Sequence, residues 1–362
     1  MDLRQFDIHP DIALAKTPPS WVYTDEAVFS AARARIFARS WQLVGDVSQV
    51  RVPGQVQPVT FLEGCVDEPL LLVRDRSDLL RCLSNVCTHR GMLVCEHAGV
   101  ETSLRCRYHG RKFDLDGSFA FMPEFEGVAG FPGESDNLRR IQLEQWGPFL
   151  FAAMDPLTSF TEWVEPIRTR LSWLPVPQAR FDPARSRDYL VNCNWALYCE
   201  NYLEGFHIPF VHSGLAETLD FGSYRTELYE YSSLQLGVAR GGDAAFIPPA
   251  GSPDSGLAIA GYYYWLFPNL MFNVYPWGIS VNIIKPLDVE RTRVSFLSYI
   301  WDASKLDAGA GSSLDRVERE DESVVEAVQR GLRSSIYERG RYSPTREQGT
   351  HHFHRLLMQC LS

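Results

Sequence analysis

The chain has no basic run. Its 35 Lys and Arg stand against 45 Asp and Glu, a formal net charge of −10 over 362 residues. Nucleic acid and an anionic membrane surface would both be repelled, so neither is expected as a partner. Cysteine is scarce. Eight residues in this length fall far below the density of a disulfide scaffold, which leaves core packing or metal ligation as their chemistry. The opening residues do not read as a secretory leader, because Asp2, Asp7 and Asp11 stand where an apolar segment is needed. The thiols are therefore expected to stay reduced, in a cytoplasmic protein. A clean apolar run is missing too. Leu257 to Ile284 is uncharged for longer than a bilayer span requires, but Pro268, Pro276, Gly278, Asn269, Asn273 and Asn282 interrupt it. Its Tyr, Trp, Ile and Val are strand formers, so it is expected to be consecutive buried strands rather than a membrane span.

What is present points to a folded chain of two domains. Apolar residues make up 45% and charged residues 22%, outside the range of disorder, and domains commonly hold roughly 100–200 residues. Helical periodicity runs from Tyr23 to Arg39 behind Thr24 as the expected N-cap. Short β-branched runs separated by Gly, Pro and Asp then predict a small all-β domain as far as Pro156. Beyond it come a helix, strands from about Arg187, a helical segment near Asn194–Phe206, the aromatic strand run and a final helix from Leu314.

Within the β region stand Cys87-Thr-His89 and, sixteen residues further, Cys106-Arg-Tyr-His109. Zinc fingers pair Cys with Cys and His with His, whereas each loop here offers one of each. That mixture suits a Rieske centre, in which two thiolates hold one iron of a [2Fe–2S] cluster and two imidazoles hold the other. Gly91 and Gly110 follow the two His and let each loop turn back through backbone angles that a side chain resists. Cys65, Cys82, Cys95, Cys193, Cys199 and Cys360 have no partner at motif spacing and read as core thiols.

A second site is read further on. On a helix, Asn201, Glu204 and His207 share one face. His212 would lie about 140° from His207 on an unbroken helix, so Pro209 is expected to end the turn and let it swing back. Two His and a carboxylate make the facial triad of non-haem Fe(II) oxygenases. On the final helix Val317, Val324, Val325, Val328 and Leu332 form an apolar stripe that includes Asp321, with Glu318, Glu320, Glu322 and Glu326 at its edge or outside it. An acid on a buried stripe needs a cation partner, an Arg or a metal; the run Glu320 to Gln329 resembles the third-ligand segment of such oxygenases, which implies that Asp321 is the third ligand.

These motifs, with Phe113-Asp114 and Gly117 after the second loop, resemble the Rieske non-haem iron oxygenase α subunits, including the choline-monooxygenase-like and ring-hydroxylating branches. The resemblance implies an α+β fold: an N-terminal segment over residues 1–40 packing on the catalytic domain, an all-β Rieske domain over 41–156, and a helix-grip catalytic domain over 157–362. It implies NAD(P)H electrons passing through the cluster to a mononuclear Fe(II) and O2 inserted into a small organic substrate. It also implies a homotrimer in which Glu204 bridges His207 to a cluster His of the neighbouring subunit, with Asn201 near the iron. Neither a second ferredoxin-type Cys set nor a Gly-x-Gly-x-x-Gly after a strand is present, so a separate flavin or ferredoxin-type reductase is expected. Ala196, Arg111 and Phe206 depart from residues common in the family. Tyr264, Tyr275 and Trp277, from the aromatic run Tyr262 to Trp277, are the expected substrate contacts and suit an ammonium group. N-methyl or aliphatic C–H hydroxylation and aromatic hydroxylation both remain open, as does an electron carrier without the second iron. The His351, His352 and His354 tail reads as packing. Iron analysis separates oxygenase from carrier: about three irons per chain are expected for the first and about two for the second.

Overall fold

The aromatic and β-branched runs do form strands, at Ile259–Leu266, Leu270–Tyr275 and Gly278–Pro286. The computed structural model describes residues 4–362 except 213, 215–218, 241–243, 307 and 313. The three strands are the centre of a seven-stranded antiparallel sheet in the order Arg180–Val191, Thr292–Ile300, Gly278–Pro286, Leu270–Tyr275, Ile259–Leu266, Ser232–Val238, Arg225–Tyr229. Both faces of its centre are buried, which is why the sequence there runs apolar without alternating. Tyr264 turns its hydroxyl to the carbonyl of Pro166 in the Phe160–Arg170 helix, at 3.3 Å. On the opposite face Trp265 packs on Phe353 of the Gln348–Leu361 helix.

This sheet belongs to a unit made of the chain up to Phe37 and Thr158–Ser362. Its N-terminal helix is shorter than expected. It spans Glu26–Arg35, capped by Asp25 rather than Thr24, because the Asp25 carboxylate accepts from Ala27 N at 2.8 Å. A separate 3-10 turn follows at Phe37–Arg39. The helix Trp195–Tyr202 opens on Asn194, whose side chain accepts from Ala196 N at 3.0 Å and donates to the carbonyls of Val289 and Tyr23. Asn194 N in turn donates to Gln329 of the Leu314–Gly331 helix at 2.8 Å. The acid Glu200 of the first of these helices meets His354 Nε2 at 2.9 Å, and Tyr342 Oη stands 2.6 Å from His354 Nδ1. His351 reaches the carbonyl of His9 at 2.8 Å.

The second unit, Ala38–Leu157, is all β. A seven-stranded sheet in the order Gln42–Asp46, Phe149–Ala153, Arg140–Trp146, Leu80–Ser84, Glu68–Arg74, Gln55–Phe61, Gly99–Val100 carries a smaller three-stranded sheet of Leu104–Arg105, Lys112–Phe113 and Phe119–Phe121. Leu71, Leu83, Leu104, Phe113 and Leu138 form its core together with Cys87 and Cys106. Among the described residues no helix is long and apolar enough to cross a membrane.

One close approach in the first unit fixes the place of the Trp195–Tyr202 helix. A Cβ added at Gly349 would sit 2.3 Å from the carbonyl oxygen of Leu203, the residue that ends that helix. Gly349→Ala must push the last helix away, and a loss of about 1–3 kcal/mol is expected from such overpacking. Thermal unfolding of the purified variant beside the parent measures it.

Candidate metal centres

In the β unit two short loops present the four cluster candidates, and the two loops are the same turn. Cys87 N donates to Met92 O at 2.8 Å, and Cys87 O accepts from Gly91 N at 3.0 Å. Cys106 N donates to Arg111 O at 2.9 Å, and Cys106 O accepts from Gly110 N at 3.1 Å. Gly91 and Gly110 have φ of +73° and +75°, the left-handed region that glycine enters without steric cost. Both Cys are 2% exposed, while the imidazoles of His89 and His109 lie nearer the surface with ring centroids 4.8 Å apart. Burial pushes the Cys87 thiol up, and the Cys106 thiol beside it adds to the effect. Burial, followed by the charges of His109, Arg111 and Arg90, pulls His89 down and so favours the neutral imidazole that ligates metal. Two buried sulfurs with two outward imidazoles make a donor set that fits a [2Fe–2S] cluster.

Arg111, a departure when read as sequence, holds the two loops together. Its guanidinium is 2% exposed, pairs with Asp136 Oδ1 at 2.5 Å and lies over the rings of Phe113, Phe119 and Phe131. The carbonyl of the same Asp136 accepts from Thr88 Oγ1 at 2.9 Å, between Cys87 and His89. Asp136 therefore ties the first loop to the residue that closes the second. Its carboxyl is held low by the Gly133 N–H, then by Arg111.

In the other unit the iron candidates converge. The Trp195–Tyr202 helix ends at Leu203, and a separate helical turn occupies Ile208–Val211. Pro209 therefore starts a turn instead of ending one, contrary to the sequence expectation. Proline suits a first turn, where its missing N–H is not needed. The break falls at Glu204 and Gly205, where a Cβ on Gly205 would meet the Tyr224 ring at 2.6 Å. Asn201, Glu204 and His207 thus do not share one continuous helix face.

His207, His212 and Asp321 each offer one donor atom, and the three atoms lie within 4.8 Å of one another. Asp321 Oδ1 stands 3.0 Å from His212 Nε2 and 3.5 Å from His207 Nε2. Asn201 Nδ2 donates to the same oxygen at 3.0 Å. The other nitrogen of each imidazole faces a carboxylate: His207 Nδ1 meets Glu204 Oε1 at 2.7 Å, and His212 Nδ1 meets Glu320 Oε2 at 2.7 Å. An N–H on each Nδ1 leaves both Nε2 lone pairs free toward the centre, as a pair of histidine metal ligands requires. Burial pulls His212 down, but the hydrogen bonds and charges of Asp321 and Glu320 outweigh it, and the group ends above its ordinary value. The same negative field favours a divalent cation once the imidazole is neutral, so the residues fit a mononuclear iron.

The final helix spans Leu314–Gly331, and its buried line differs from the expected stripe. Glu318, Val325 and Gln329 are the buried residues, while Val328 is 42% exposed. The stripe left Glu318 and Glu320 at its edge or outside it, because hydropathy alone cannot show which acids face polar partners. Glu318 is 3% exposed, and its Oε2 accepts from Tyr198 Oη at 2.5 Å. Its Oε1 is buried and has no hydrogen-bond partner among the described residues. Burial pushes the Glu318 carboxyl up to about 8.

A cavity of about 100 Å3 opens over the triad. Tyr202, Tyr224, Tyr263 and Tyr275 line it, as does Glu318. Tyr275 is where the sequence placed a substrate contact, but Tyr264 and Trp277 are not among the lining residues. Strand alternation is the reason for Tyr264, since it faces the Phe160–Arg170 helix and its neighbour Tyr263 faces the cavity. Trp277 lies behind Tyr275, its ring stacked 5.4 Å away.

Residues 40–132 match the Rieske [2Fe-2S] domain, and residues 172–362 match the catalytic domain of the ring hydroxylating alpha subunit. The chain is similar to the chloroplastic choline monooxygenase of Arabidopsis thaliana, 32% identical over 98% of this chain and 85% of that one. It is also similar to the carnitine monooxygenase oxygenase subunit of Escherichia coli (strain K12), 30% identical over 95% and 94% of the two chains. A solved quaternary ammonium Rieske monooxygenase superposes with a TM-score of 0.79 at 25% identity, covering the whole of both chains. The protein belongs to the Rieske non-haem iron oxygenase family, as an α subunit with a [2Fe–2S] domain and a mononuclear iron domain. It is an O2-dependent oxidoreductase that inserts oxygen into a small organic substrate.

The carboxylate behind His212 yields a direct test. Glu320→Ala is expected to weaken mononuclear iron binding by about 10- to 100-fold, the usual effect of losing such a partner. Visible absorbance of the [2Fe–2S] cluster should not change. Iron titration of the cluster-loaded protein reads both.

Proposed function

We propose that this chain hydroxylates a small ammonium compound at an N-methyl or neighbouring C–H carbon, with His207, His212 and Asp321 holding the iron and Cys87, His89, Cys106 and His109 the cluster. The observation that carries the reading is the wall of four tyrosines, Tyr202, Tyr224, Tyr263 and Tyr275, in the cavity that contains the triad. Aromatic faces attract a quaternary ammonium through their quadrupole, and more strongly where water is excluded. The names of the relatives support the same substrate class, since those proteins act on choline and carnitine.

When bound, the cluster would supply a one-electron relay and the iron would activate O2, so that one oxygen atom enters the substrate C–H bond and the other leaves as water, with two electrons from NAD(P)H and two protons taken up. The chain's own residues do the rest. Glu204 and Glu320 hold the two imidazoles in the ligating tautomer, and Asn201 orients Asp321. The tyrosines exclude water and fix the cation end. Glu204 is also the residue through which electrons from a neighbouring subunit's cluster would arrive in a homotrimer, with the 1–40 segment packed on the 157–362 catalytic domain and a separate flavin or ferredoxin-type reductase as donor. We place the protein in the cytoplasm.

With a surrogate reductase and NADH, a trimethylammonium compound should be consumed with release of an aldehyde, while an aromatic acid and a plain arene are left unchanged. Turnover of the arene alone would show ring hydroxylation and overturn the reading.

A further inference from the structure

The cavity over the triad has an acid that neither metal nor fold accounts for. Glu318 sits one helical turn before Asp321, is 3% exposed and lines the cavity. Tyr198 satisfies one carboxylate oxygen at 2.5 Å, and the other is buried with no donor among the described residues. Burial keeps this acid protonated up to about 8, so its charged form is favoured only when a cation comes to lie beside it. No Lys or Arg is among the described lining residues. The segments outside the described residues contain none either, and their ionisable residues apart from those at the N-terminus are Glu217, Asp243 and Asp307. Asn201, Gln235, Asn273 and Asn282 offer the cavity amide groups but no positive charge.

We propose that Glu318 is the counter-charge of the substrate and makes the cavity selective for an organic cation whose other end carries no carboxylate. The inference rests on the ammonium reading above and sharpens it. A choline-like molecule would bring its cation to the carboxylate and the tyrosine faces, and its hydroxyl can donate to the free oxygen of Glu318. A zwitterion such as carnitine would bring in a second carboxylate with no Lys or Arg to pair it, and an unpaired charge in a buried site is penalised strongly. The relatives leave this choice open, because a choline and a carnitine enzyme match at 32% and 30% identity.

The test uses the cluster- and iron-loaded oxygenase with choline and L-carnitine as probes, calorimetric binding of each, and NADH-driven kinetics. The parent protein should bind and turn over choline with a kcat/KM at least tenfold above that for carnitine. Glu318→Gln keeps the size of the side chain and an acceptor for Tyr198. It should raise the Kd and KM for choline on the order of 10- to 100-fold, as loss of one partner of a buried charge pair does, with kcat little changed and the preference over carnitine lost. Glu318→Asp should restore most of that preference. Iron content and the cluster spectrum report whether each variant is folded. A parent protein that favours carnitine overturns the proposal, whatever the variants do. So does a Glu318→Gln protein, with full iron and cluster, that keeps its choline preference or loses kcat for both compounds alike. If neither ammonium compound binds, while an arene is turned over, the ammonium reading itself fails and this inference with it.

Discussion

Everything at the mononuclear site depends on what stands behind the two imidazoles. A histidine ring has two nitrogens, and only the one without a proton can ligate. Here Glu204 and Glu320 each take the Nδ1 side at 2.7 Å, so both Nε2 atoms turn toward Asp321. The break between helical segments at Gly205, the short turn Ile208–Val211 and the phase of the Leu314–Gly331 helix all serve this arrangement. The two carboxylates come from different places: one from the loop that bears His207, the other from the helix that bears Asp321. Bringing those two segments together is what the sheet and the packing of the helices accomplish.

How much of this could be read from the sequence depends on how local each feature is. The cluster candidates were legible because each loop carries its whole signal within five residues, Cys to Gly. The convergence of the three iron candidates was legible in residue identity, since His207 and His212 lie close in sequence and Asp321 stands on a recognisable helix. Its local geometry was not. Pro209 was read as a stop signal, but a proline is equally suited to begin a helical turn, and only the packing of Gly205 against Tyr224 decides where the break falls. Glu320 and Glu318 were set at the edge of the stripe or outside it because hydropathy ranks them there, while their places are fixed by polar partners 108 and 120 residues away. The choice of Tyr264 over Tyr263 was an error of one residue in strand parity, and one residue is enough to exchange the two faces of a sheet.

Arg111 illustrates a departure from a family pattern that is answered inside the same unit. A buried guanidinium needs an anion and apolar cover; Asp136 and three phenylalanines supply them. The carbonyl of Asp136 then reaches Thr88 in the other ligand loop. The sequence showed an unusual residue beside a ligand, and the fold turns it into the link between two identical turns.

Asn194 has a consequence for how the protein opens. Its backbone and side chain join four segments, near residues 23, 194, 289 and 329, and the helix it starts runs toward the His207 loop. Fraying that helix from its beginning would break contacts with three distant parts of the chain at once, so partial opening gains little over unfolding the whole unit. The amides of that first turn should therefore exchange with solvent only through the rarest, global fluctuations, which makes the approach to the iron ligands one of the most rigid parts of the molecule.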